Sequence, residues 1–127
     1  MTYIQRIDYR PSMEALAQED QTHVVNHFDA YGEEMMMEGQ PVPWKVVEEV
    51  EVVVAPHAMG LAGWIVKNLL QKGENRYHIG VYFGRQEAVF PNVTWDVAKY
   101  VLENIAYYTP QQVKYTGPEN LVPLTEI

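Results

Sequence analysis

Two histidines four residues apart, in His23-Val-Val-Asn-His27, form the sharpest chemical pattern in this chain. On a helix that spacing brings both imidazoles to one side, the geometry in which two histidines share a metal ion. Asp20, with Glu19 and Glu34, falls within one or two turns on that side, so the candidate metal set is His23, His27 and Asp20. No HExxH pattern accompanies the pair. The commoner role for such histidines is to border an apolar stripe and hydrogen-bond to nearby acids, and that is the reading preferred.

A second candidate is the stretch Ala55-Pro56-His57-Ala58-Met59-Gly60, where a strand end is expected to meet a helix start. Free backbone N–H groups and the helix dipole can hold an anion there, with His57 as an added donor and Gly60 allowing close approach. No phosphate-binding glycine pattern reinforces it, and glycines inside a helix more often serve packing. The third is His78 with Tyr82 and either Glu49 or Glu51, an acid–base cluster if their strands are neighbours. An exposed cross-strand polar pair is the plainer account of those residues.

Met35-Met36-Met37 stands between Glu34 and Glu38. Met35 continues an apolar stripe, whereas Met36 and Met37 cannot both point inward, which leaves adaptable apolar surface beside acids. Tyr82, Tyr100 and Tyr107 fall off the apolar faces of their own segments, and tyrosine suits interfaces because it is apolar at one end and polar at the other. These residues and Glu33, Glu34 and Glu38 make up the expected contact surface.

Charge points the same way. Residues 1–51 hold eleven acids against three bases, a balance of −8 that equals the net charge of all 127 residues. Such a field repels nucleic acid and acidic membranes and favours a basic partner. No calcium-loop pattern and no basic stripe is present. The absence of cysteine removes disulfides, thiolate–zinc sites and cysteine nucleophiles. With 47% hydrophobic residues, no signal-like start and no apolar run of spanning length, the chain reads as a folded cytoplasmic protein without a membrane segment.

The elements that would position these residues divide at Gly39-Gln-Pro-Val-Pro43. Upstream, residues 3–10 suggest a short strand. Leu16, Val24, Phe28, Tyr31 and Met35 mark a helical stripe, which predicts a helix over 22–37. Downstream, a Val-rich strand over 45–55 precedes a helix over 58–72, then strands over 76–83 and 87–90. A helix capped by Thr94 follows, with Val97, Ala98, Val101, Leu102 and Ile105 inward, and a short strand over 111–115 comes last. That order predicts an α+β domain with a ferredoxin-like βαββαβ core at about 45–115, an acidic helical N-terminal arm and an extended tail over 116–127.

The expectation is therefore a single domain acting as a non-catalytic acidic interaction module, an adaptor, inhibitor or assembly factor without a cofactor. The alternatives are a small metal- or ligand-binding enzyme using His23 and His27 or His57, and a structural homo-oligomer, for example a homodimer.

Overall fold

The computed structural model describes residues 1–55 and 75–127. In chain order the strands and helices are β1 (Thr2–Ile4), α1 (Gln18–His27), β2 (Phe28–Ala30), β3 (Glu34–Met37), β4 (Gln40–Pro43), β5 (Glu49–Val54), β6 (Tyr77–Phe83), β7 (Gln86–Val93), α2 (Trp95–Tyr108), β8 (Lys114–Thr116) and β9 (Leu124–Glu126). Short 3-10 turns lie at Met13–Ala15 and Trp44–Val46. The fold is mixed α+β. Strands β7-β6-β5-β8-β1-β9 form one sheet in that order, and β2-β3-β4 form a second. No helix among the described residues is long and apolar enough to cross a membrane.

The downstream half follows its sequence pattern closely. Tyr77, Ile79, Val81 and Phe83 alternate inward along β6, as period-2 patterning requires. Gly84-Arg85 then turns the chain, with Gly84 at φ 60°, a conformation natural to glycine at the first central position of a two-residue hairpin. Strand β7 continues past Phe90 because Pro91 and Asn92 form a bulge opposite His78. A proline without an N–H is tolerated at a bulge on an edge strand. Helix α2 lays Val97, Ala98, Val101, Leu102 and Ile105 on the sheet, all fully buried, and Thr94 Oγ1 accepts from Val97 N at its start. Asn104 is buried in the same helix and donates to Tyr100 O at 2.9 Å.

The strand order departs from the ferredoxin-like expectation. That arrangement puts the first strand of the motif between the third and the fourth. Here the first, β5, lies between the second, β6, and the fourth, β8. β5 and β6 pair antiparallel from Glu49↔Tyr82 to Val54↔Tyr77, and Ala55 N donates to Arg76 O just beyond. The helix expected over 58–72 lies outside the described residues. The strand expected from Lys45 starts at Glu49, because Trp44–Val46 forms a 3-10 turn that Gln111 Nε2 clamps by donating to Trp44 O and Val47 O. Val50 and Val52 face inward, while Val46 and Val54 are exposed.

The N-terminal region is neither a helical arm nor separate from the sheet. α1 ends at His27, and the chain then makes two hairpins. Met35 and Met37 are fully buried with Met36 between them, an alternation that belongs to a strand. Glu38 and Gly39, at φ 52° and 78°, form the two-residue turn joining β3 to β4. Trp44 anchors this region to α2 by stacking on Tyr108 at 4.9 Å, and its Nε1 donates to Tyr31 O at 2.6 Å. The C-terminal segment is likewise no free tail. Leu121 and Val122 are buried, and β9 pairs with β1, so Ile127 N donates to Met1 O at 2.9 Å.

Candidate functional site

Three places gather the residues that carry chemistry. The first lies at the C-terminal end of α1. The His23 and His27 rings meet edge to face at 5.2 Å, and His23 is equally close to Phe90 of β7. His27 Nδ1 contacts Glu38 Oε1 at 2.5 Å, while Glu38 N donates to His27 O at 2.8 Å. Burial lowers the pKa of His23, with the charges of His27 and Arg76 acting in the same direction. The helical spacing therefore does bring the two imidazoles together. Glu34 is carried away on β3, where its carboxylate accepts from Tyr31 Oη. Among the described residues no group of three His, Cys, Asp or Glu is arranged to hold a metal, so His23, His27 and Asp20 do not make one.

The second place is the face of the six-stranded sheet opposite α2. The register puts Glu49 beside Tyr82 and Glu51 beside Gly80 on β5 and β6, with Glu87 of β7 on the far side of Tyr82. The Tyr82 ring lies back over Gly80, where an added Cβ would meet it at 3.6 Å. Its hydroxyl donates to Glu51 Oε1 at 3.2 Å. Glu87 foremost, and Glu51 with it, resist its ionisation and push its pKa up to about 12. His78 shares this face, but its Nδ1 accepts from Asn92 N at 2.9 Å inside the bulge. That bond occupies the nitrogen lone pair a general base would use. No described helix or strand packs over the face, and Val53 and Val89 are exposed on it.

The third place is the β2–β4 hairpin pair. Glu33 and Glu34 sit at one end of β3 and Glu38 at the other, about 13 Å apart at strand rise instead of adjacent on one helix turn. Met36, opposite Asp29 and Pro41, keeps an outward position; Met37 is fully buried and offers no contact surface. Tyr100 and Tyr107 are half-buried against the core, Tyr100 beside Phe28 and Tyr107 edge-on to Tyr108. His57 and Gly60 lie outside the described residues.

One electrostatic feature joins these places. Among the described residues the one ion pair is His27–Glu38. Carboxylates find tyrosine hydroxyls instead: Tyr9 donates to Glu103, Tyr31 to Glu34 and Tyr82 to Glu51. Those bonds raise the pKa of Tyr9 and Tyr31 as well, and they leave the negative charge in place. Glu87, which shares Tyr82 with Glu51, and Glu38, which holds His27, were not tied to these partners by sequence reasoning. The hairpin signal at Gly84 and the turn dipeptide Glu38-Gly39 were the available clues. Comparison with family models, curated proteins and solved structures found no match to this chain.

Proposed function

We propose that this chain is a non-catalytic acidic interaction module that docks a basic surface of a partner protein, with the Tyr82 face of the sheet as its main contact. The carrying observation is that Glu49, Glu51 and Glu87 line a face that no described element covers, where Lys114 of β8 stands beside Glu49 in the register but no Lys or Arg ion pair forms among the described residues. Tyr82 adds an aromatic surface held rigid over Gly80, and Val53 and Val89 add apolar area beside the acids. That mixture of a central aromatic and a charged rim suits recognition. Charge on the rim speeds encounter with a cationic surface and rejects anionic ones.

The same charges argue against the homo-oligomer alternative on this face. Two copies stacked here would set Glu49, Glu51 and Glu87 against their own equivalents, and like charges brought together at an interface are penalised. The outward hairpin residues Glu33, Glu34 and Met36 then form a secondary contact, continuing the acidic surface. The proposed module has no catalytic residues and needs no cofactor.

The test is charge reversal measured against an arginine-rich peptide at low salt. The E49K/E51K/E87K variant should lower the association rate by about tenfold or more, and E33K/E34K by less. Equal rates for wild type and the sheet variant would remove the face from the proposal.

A further inference from the structure

We propose that the His23–His27 pair is an acid-operated latch that frees helix α1 from the sheet and uncovers Phe28 and Phe90. Helix α1 touches β2 and α2 but buries little against them. Val24 is its one buried side chain, and Ala17 at its N-cap supplies no side-chain bond. Its far end is tied through His27 alone, by backbone and by side chain, to Glu38 in the β3–β4 turn. His23 lies one turn earlier and wedges its ring between His27 and Phe90, each at 5.2 Å. The Phe90 ring is stacked with Phe28 at 6.2 Å, so the histidines roof an aromatic pair.

A proton arriving on His23 meets a defined set of charges. On α1 itself these are His27 and Asp20; the β3–β4 turn contributes Glu38, and the residue before β6 contributes Arg76. From β7 the facing side chain is Phe90, which is uncharged. Burial against Phe90, together with His27 and Arg76, outweighs the two carboxylates, so this seat favours the neutral imidazole over the imidazolium. The sign follows from linkage. A histidine whose folded pKa is depressed contributes stability that is present above its unfolded value of about 6.5 and is lost as pH falls towards the folded one. With a single buried side chain to resist, α1 is the element that yields. The exposed product is an apolar aromatic patch that exists only in acid, separate from the Tyr82 face and independent of what binds there.

Backbone hydrogen exchange at about pH 7.5 and about pH 5, corrected for intrinsic rates, tests the latch. Protection of amides 21–27 should fall on acidification, by about tenfold for each pH unit of displacement of the His23 midpoint, while α2 stays protected. His23→Phe, which keeps an aromatic ring and takes no proton, should hold α1 protected in acid. As a check that needs no His23 variant, His27→Gln should raise the His23 midpoint in an imidazole proton NMR titration by removing its cationic neighbour. The latch is overturned by acid loss of α1 protection persisting in His23→Phe, by α1 and α2 losing protection together, or by a His23 midpoint that His27→Gln leaves unmoved.

Discussion

Helix α2 buries seven of its fourteen residues and is capped by Thr94, whereas α1 buries one of ten and has no side-chain cap. One is held by the hydrophobic effect and a local hydrogen bond, the other by Val24, by the His23 ring against Phe90 and by the His27–Glu38 contact at its end. An anchor made of apolar area does not respond to protonation or to charge screening; one made of titratable groups does. The difference teaches where this molecule can change state without unfolding. Elements with few buried contacts open locally at little cost, and α1 is such an element.

The contrast can be broken or sharpened by substitution. The largest expected effect is Leu102→Ala, which empties a fully buried position in α2 and should destabilise the fold by about 2–5 kcal/mol in urea unfolding. Val25→Ala in α1, at a position 66% exposed, should change stability by under about 0.5 kcal/mol by the same measurement. Comparable losses at both positions would mean that α1 is anchored by more than its contacts show. A smaller effect is expected at the caps. Thr94→Ala removes the bond to Val97 N and should cost about 1 kcal/mol, while Ala17→Asp should add a cap to α1 and stabilise it by a similar amount. Ala17→Asp should also lessen the acid sensitivity of α1 in hydrogen exchange, since a better anchored helix needs a larger charge penalty to release.

The two helices also differ in how far the sequence disclosed them. In α2 the inward positions Val97, Ala98, Val101, Leu102 and Ile105 recur at helical spacing behind a capping threonine, and each occupies the place the pattern assigns. Strand β6 is equally transparent, because Tyr77, Ile79, Val81 and Phe83 alternate. The stretch over 28–43 was not. Its residues Phe28, Tyr31 and Met35 satisfied a helical stripe at spacings of three and four, yet Met35 and Met37 alternate and Glu38-Gly39 supplies the left-handed turn of a hairpin. Turn chemistry and strand pairing outweighed local periodicity. Strand β9 was hidden for a different reason: its partner β1 lies at the opposite end of the chain, and three residues after Pro123 carry no pattern of their own.

The candidate sites divide along the same line. The His23–His27 approach depended only on helical spacing, so it was legible. Glu38 became the partner of His27 through a hairpin that the helical reading had removed, so that contact was not. The grouping of Tyr82 with Glu51 required a strand pairing that the structure supplies, and Glu87 joins them from the neighbouring strand. Strand order itself, set by non-local pairing of β5 with β6 and β8, left no local signature to read.

The most direct test of the acidic interaction module is to map where a cationic partner lands, by titrating an arginine-rich peptide into the labelled protein and following backbone amide shifts. An acidic module docking through the Tyr82 face should show changes concentrated at Glu49, Glu51, Tyr82 and Glu87, weaker ones at Glu33, Glu34 and Met36, and their loss in E49K/E51K/E87K. Shifts spread evenly over the acids of the whole surface, including Asp8 and Glu119, or unaltered by that variant, would contradict it.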